Sequence, residues 1–118
     1  GKPVYVVKRS SEAISNLETY GSDTLRDKDS ELASQPHYVS GNSRTLPGKE
    51  EILVIVGLCT HLGCAPMYRP DVGAKDLGGE EWLGGFFCPC HGSKFDLSGR
   101  VYAGVPAPSN LEVPPHSY

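Results

Sequence analysis

The chain contains two short segments of matching composition, CTHLGC at residues 59–64 and CPCHGS at residues 88–93. Each segment carries two cysteines and one histidine, and together they hold all 4 cysteines of the chain. Thiolates and imidazoles are ligands of soft and borderline metals, so the pair indicates a metal centre held between two loops. One thiolate and one imidazole from each segment would leave one cysteine per segment for another use. We interpret the pair as a mixed Cys/His iron–sulfur site whose loops are clamped by a disulfide.

The spacing of the ligands supports this interpretation. One residue separates Cys59 from His61, and two residues separate Cys88 from His91. Two cysteines on one iron and two histidines on the other is a known ligation of [2Fe–2S] centres. Neutral imidazoles lower the negative charge of the cluster, which raises its potential to roughly −150 to +300 mV, from about −400 mV for all-cysteine plant-type ferredoxins.

The remaining cysteines are Cys64 and Cys90. A bond between them would tie the two loops together across the cluster and would contribute about 3 kcal/mol of stability in a chain-entropy estimate. It would also imply an oxidising compartment.

Two other interpretations stay open at this point. A structural zinc site uses the same Cys2His2 ligands, although zinc sites usually pair their cysteines at C-x2–4-C spacing without further flanking thiols. A scaffold of two disulfides would leave the paired histidines unexplained.

The composition predicts a single all-β domain. The chain has 118 residues, and its 14 glycines and 10 prolines are too many for a helix bundle. A net charge of −3 argues against nucleic acid or an anionic membrane surface as a partner. The longest apolar run, residues 52–58, is far shorter than the ~20 residues that span a bilayer.

Local patterns place the elements around the two segments. The patterns predict strands at 3–8, 52–56 and 111–113, a short helix from Ser10 or Ser11 to Leu17, and a hairpin turn at 96–100. The strand at 52–56 is expected to be buried on both faces and to lead into Cys59. The polar stretch 20–35 is expected to form an irregular surface segment.

The two segments resemble the cluster-binding boxes of the Rieske iron–sulfur subunit of cytochrome bc complexes. GVPAP at 104–108 and NLEVP at 110–114 strengthen the resemblance, which is strong from about Ile52 to Pro115 and is closest to proteobacterial members. It implies a Rieske-type fold of small antiparallel sheets in one domain, residues 1–118. A cluster-binding subdomain, 58–96, would be inserted in a base fold formed by 1–57 and 97–118, with both ligand loops at its tip.

The resemblance also implies the site residues. Cys59 and Cys88 would bind the inner iron of one [2Fe–2S] cluster per chain, His61 and His91 would bind the outer iron, and Cys64 and Cys90 would form the disulfide.

Further roles follow from the resemblance. His91 and His61 would contact hydroquinone and accept its proton, and Leu62 would cover the cluster. Ser93 would donate to a bridging sulfide. Phe95 stands where high-potential members usually carry a tyrosine that donates to a cysteine ligand, so we expect a lower potential here. Val105 departs from the usual Gly-Pro-Ala-Pro of the proline loop.

The implied function is proton-coupled electron transfer from hydroquinone, bound at a cytochrome b subunit, to a cytochrome c-type haem in a quinol–cytochrome c reductase. The isolated domain would be an electron carrier on the periplasmic face of a bacterial inner membrane, anchored by an upstream transmembrane helix. An alternative is the small subunit of another periplasmic oxidoreductase, such as arsenite oxidase. Rieske oxygenases and their ferredoxins typically lack the two disulfide cysteines, which argues against that class.

Overall fold

The computed structural model describes residues 3–21, 24–28, 35–39, 41–60, 62–77, 79 and 82–116. In this part of the chain the architecture is two small antiparallel sheets with little helix, as the sequence predicts. The first sheet pairs β1 (Val4–Lys8) with β2 (Ile52–Val56). The second has the order β3 (Met67–Arg69), β4 (Gly85–Phe87), β5 (Lys94–Asp96).

The first sheet forms because both of its strands are rich in β-branched residues. The register sets Val7 opposite Leu53, and both side chains are buried. The prediction that β2 is buried on both faces is wrong. Leu53 and Ile55 are fully buried, but Ile52 and Val54 are partly exposed. The sheet therefore covers the core with one face, as antiparallel sheets commonly do.

The predicted helix is confirmed as α1 (Ser11–Asn16). The hydroxyl of Ser10 accepts a hydrogen bond from the backbone N–H of Ala13 at 3.1 Å, which satisfies one of the first-turn donors. A 3-10 turn, Leu17–Thr19, continues the helix and buries Leu17. None of the helices in the described ranges has the length and apolarity to cross a membrane.

The main core joins the two sheets and includes the first residue of each ligand segment. Its buried members are Val7, Val39, Leu53, Ile55, Cys59, Phe86, Cys88, Phe95, Val101, Ala107, Leu111 and Val113. Ala74, Leu77 and Trp82, which belong to the long connection between β3 and β4, form a smaller cluster around the 3-10 turn Lys75–Leu77.

The hairpin turn after β5 is confirmed. The N–H of Asp96 donates to the carbonyl of Arg100 at 2.9 Å, and a bridge joins Phe95 to Val101. The prediction of a strand at 111–113 is wrong, because this segment forms no strand in the structure. The N–H of Leu111 donates to Gly99 while the carbonyl of Glu112 accepts from β2, so the segment divides its hydrogen bonds between two neighbours.

The polar stretch 20–35 is not simply a surface segment, although residues 22–23 and 29–34 of it lie outside the described ranges. Leu25 is 1% exposed and bridges to Tyr102, and Asp27 is 5% exposed. The side-chain amide of Asn110 donates to the carbonyl of Asp27 at 2.7 Å. Buried Tyr20 and Leu25 therefore anchor parts of this stretch in the interior.

Candidate metal centre

The two cysteine segments fold into loops with the same backbone hydrogen bonds. We call residues 59–64 loop one and residues 88–93 loop two. In each, the N–H of the first residue donates to the carbonyl of the sixth at 2.8 Å, and the N–H of the fifth donates to the carbonyl of the first, at 2.9 and 3.0 Å. The fifth residues, Gly63 and Gly92, have φ values of +82° and +81°, which glycine adopts without a Cβ penalty. The loops therefore present their first residues in equivalent positions.

A disulfide joins the loops. Cys64, the last residue of loop one, is bonded to Cys90 in the middle of loop two, and their Cα atoms lie 6.5 Å apart. Cys90 is exposed and Cys64 is half-buried. The bond holds the loops side by side although 26 positions separate the two cysteines in the sequence.

The other two cysteines lie inside. Cys59 and Cys88 keep their thiols outside the disulfide and are only 3% and 2% exposed. The sulfur atoms of Cys64, Cys88 and Cys90 all lie within 4.8 Å of one another. Since two of these three sulfurs are bonded together, this group is not itself a metal site. It places Cys88 against the disulfide and leaves one buried thiol in each loop.

The outer side of the loops carries different chemistry. His91 of loop two is exposed, and Leu62 of loop one is 68% exposed. His61 lies outside the described residues. The loops thus combine buried thiols with an imidazole and an apolar side chain at the surface.

A proline-rich segment, residues 104–109, backs both loops. The hydroxyl of Thr60 donates to the carbonyl of Ser109 at 2.6 Å. The hydroxyl of Ser93 accepts a hydrogen bond from the N–H of Ala107 at 3.0 Å, and both residues are fully buried. Because a hydroxyl has one donor and two acceptor sites, this contact leaves the Ser93 proton for another partner.

Phe95 lies in the core below the loops. It is fully buried, sits opposite Phe86 in the β4–β5 pair and shares the main core with Cys59 and Cys88. A Cβ on Gly85 would come within 2.0 Å of the Phe95 carbonyl oxygen, so glycine is required for β4 to approach β5 this closely. The phenyl ring contributes packing and no hydrogen-bond donor.

A buried ion pair closes the turn after β5. Arg100 Nε donates to the Asp96 carboxylate at 2.7 Å, and both side chains are fully buried. The same carboxylate accepts the N–H groups of Ser98 and Arg100, each at 2.8 Å. The turn that follows Ser93 and Phe95 is therefore held by a charge pair with satisfied hydrogen bonds.

Two further buried arginines contact the same turn. Arg44 donates to the carbonyls of Ser98 and Leu111 at 3.0 and 2.6 Å, and Arg9 donates to the carbonyl of Leu97 at 3.0 Å. Burial lowers the pKa of Arg44 to about 10, since it disfavours the charged guanidinium. Sequence reasoning missed these arginines because charged residues are almost always exposed and no local pattern marks the exceptions.

The described residues fit an iron–sulfur cluster better than a closed zinc site. Two buried thiols come from equivalent positions of two loops, loop two also carries an exposed imidazole, and a buried hydroxyl retains a proton to donate. Thiolate ligation in an apolar, hydrogen-bonded setting suits iron–sulfur clusters, and the exposed imidazole suits exchange with an external molecule.

Comparison with known proteins agrees with an iron–sulfur centre. A family model described as "Rieske [2Fe-2S] domain" matches residues 17–115.

Among similar proteins is the "Ubiquinol-cytochrome c reductase iron-sulfur subunit" of Allochromatium vinosum, 52% identical over 118 residues, which are 100% of this chain and 55% of that protein. The protein of the same name in Rhodobacter capsulatus is 41% identical over 120 residues, covering 97% of this chain and 58% of the relative. The "Cytochrome b-c1 complex subunit Rieske, mitochondrial" of Solanum tuberosum is 41% identical over 120 residues, covering 100% and 36%. The chain spans about half the length of the bacterial relatives it matches.

Proposed function

This chain belongs to the Rieske [2Fe-2S] domain family, whose cofactor is a [2Fe–2S] cluster, and from that premise we propose that it carries electrons from hydroquinone to a cytochrome c-type haem in a quinol–cytochrome c reductase. One observation carries the proposal: two disulfide-linked loops with the same backbone hydrogen bonds bury one thiol each, and loop two exposes a histidine. The names of the relatives support the choice of complex.

In this proposal Cys59 and Cys88 hold the inner iron, and His61 and His91 hold the outer iron. The burial of both thiols supports the first assignment, and the exposure of His91 supports the second. When bound, the cluster takes up and releases one electron at a potential raised by its two imidazole ligands.

The chain itself handles the proton. An imidazole that uses one ring nitrogen as a ligand has its second nitrogen left to exchange a proton. For His91 that nitrogen can reach an external hydroxyl because the side chain is exposed. We assign His91 as the main contact for hydroquinone and His61 as the second proton acceptor. Leu62, which is 68% exposed, adds an apolar contact surface for the ring.

Ser93 and Phe95 set the potential in this proposal. The Ser93 hydroxyl is held by a hydrogen bond from the Ala107 N–H. We assign its remaining proton as a donor to the cluster, where it stabilises the more negative, reduced state. Phe95 offers no such donor, so the potential is lower than in relatives that carry tyrosine at this position.

The domain division and the setting complete the proposal. The second sheet lies within residues 58–96 and the first outside it, which supports a cluster-binding subdomain inserted in a base fold of 1–57 and 97–118.

In the complete protein we propose an upstream transmembrane anchor, the periplasmic face of the inner membrane as location, and cytochrome b and a c-type cytochrome as partners. The greater length of the bacterial relatives and their names support this setting.

An electron paramagnetic resonance spectrum of the dithionite-reduced chain, with a redox titration at several pH values, tests the centre. We expect one [2Fe–2S] signal per chain and a midpoint potential that falls in alkaline solution, because the proposed electron uptake is coupled to proton uptake. A colourless, zinc-containing protein would overturn the assignment. In membranes that contain the full-length subunit, quinol-dependent reduction of cytochrome c tests the reaction.

A further inference from the structure

The sulfur of Cys88 lies close to the disulfide that clamps the two loops. Its sulfur and those of Cys64 and Cys90 are mutually within 4.8 Å. Cys88 is 2% exposed and its thiol is outside the disulfide. Thiol–disulfide exchange needs a third sulfur held beside the bond, and burial keeps this one beside it.

We propose that Cys88 is the nucleophile of an internal thiol–disulfide exchange that opens the Cys64–Cys90 bond whenever Cys88 does not hold iron. A bond forms between the sulfurs of Cys88 and Cys64, the Cys64–Cys90 bond breaks, and the proton of Cys88 ends on Cys90. One disulfide and two thiols are present before and after the step. It therefore requires no oxidant or reductant.

The preferred product follows from the positions of the three residues. Attack on Cys90 would close a ring over the single residue Pro89, whose φ is fixed by its own ring, and this disfavours a Cys88–Cys90 bond. Attack on Cys64 keeps the two loops linked. It releases Cys90, which is already exposed to water.

Cys59 does not share this position. It is buried at 3% exposure and belongs to the same core, but it is not a member of the three-sulfur group found among the described residues. Loss of either ligand thiol should abolish cluster binding, yet only loss of Cys88 removes the attacking sulfur. The two positions therefore provide a matched pair of variants.

After the cluster is lost, the exchange hinders its rebinding, because Cys88 becomes part of a disulfide. While Cys88 is bonded to Cys64 it cannot bind iron, and the original pairing returns only when the released thiol of Cys90 attacks the new bond. Iron on Cys88 thus protects the Cys64–Cys90 bond, and in an oxidising compartment the cluster must be in place for that pairing to last. This consequence rests on the proposed role of Cys88 as a ligand.

Disulfide mapping tests the exchange directly. The cluster is removed from the 118-residue chain anaerobically with an iron chelator, thiols are alkylated in acid-quenched samples over time, and linked peptides are identified by mass spectrometry. Fragmentation assigns the partner, because trypsin leaves Cys88 and Cys90 on one peptide. We expect only the Cys64–Cys90 link before removal, and a growing Cys64–Cys88 link with alkylated Cys90 afterwards. Retention of Cys64–Cys90 with alkylated Cys88 would overturn the proposal.

The variants Cys59→Ser and Cys88→Ser supply the control. Both should lack the cluster, but Cys59→Ser should show the Cys64–Cys88 link whereas Cys88→Ser should keep Cys64–Cys90. Equal maps in two folded variants, checked by circular dichroism, would contradict the assigned nucleophile. If either variant fails to fold, the time course in the wild-type chain decides. The visible spectrum before chelation tests the ligand assignment separately, so failure of the exchange and failure of the proposed function give different results.

Discussion

The hydroxyl of Ser93 accepts a hydrogen bond from the backbone N–H of Ala107 at 3.0 Å, with both residues fully buried. The contact joins loop two to the proline-rich segment behind it and fixes the side chain of Ser93. With one acceptor site occupied by the Ala107 N–H, the hydroxyl retains its proton for a further acceptor. In the proposed function this side chain combines a structural link with a donor to the cofactor.

Replacing Ser93 by alanine should lower the midpoint potential. In the wild-type chain the Ser93 hydroxyl is expected to stabilise the reduced state, so its removal disfavours reduction. A net hydrogen bond of about 0.5–1.5 kcal/mol corresponds to roughly 20–65 mV for one electron. Voltammetry of the loaded chain measures the shift. Ser98→Ala is the matched control, since Ser98 is also a fully buried serine but bonds Arg9 in the turn after β5. An equal drop in both variants would argue against a direct donor at Ser93.

Replacing Phe95 by tyrosine should raise the potential by a similar amount, because it supplies a phenolic donor from the core below the loops. Phe87→Tyr serves as the control. Phe87 lies on the adjacent strand and packs against the smaller cluster around Trp82. A midpoint in Phe95→Tyr that stays constant or falls would refute the expectation.

Replacing Asp96 by alanine should lower the free energy of unfolding by about 3–5 kcal/mol, because it leaves the fully buried charge of Arg100 without its partner. Urea unfolding measured with the disulfide intact checks the value. Asp76→Ala removes a surface partner of Arg69, with 64% of the Asp76 side chain exposed, and should change stability little. Comparable losses of unfolding free energy in the two variants would contradict the claim that the buried ion pair matters more than the surface pair.

Tyr20 should make the fold sensitive to alkali. Burial raises the pKa of Tyr20 to about 12, above the value of about 10 in an unfolded chain. Its contribution to stability is therefore complete below pH ~10 and is lost as the pH rises towards 12. The lowered pKa of Arg44 acts in the opposite direction, so the wild-type curve is compared with that of Tyr20→Phe. The variant should lose less stability across this range, and parallel curves would refute the assignment.

Much of the fold could be predicted because its signals are local. The β-branched residues of β1 and β2, the capping Ser10 and the turn at 96–100 each act on near neighbours in the chain. The segment 111–113 was misassigned because it bonds to two partners that are distant in sequence. The burial of Leu25 and Asp27 was missed for the same reason.

The sequence by itself determined the chemistry of the centre, because residue types and their spacing define which ligands two short loops can offer. Only the tertiary structure decided what surrounds those ligands. It set the sulfur of Cys88 against the Cys64–Cys90 bond, the Ser93 hydroxyl against Ala107, and the three buried arginines around one turn. The physical reason is that these contacts arise from the packing of segments far apart in the chain, for which no local pattern exists.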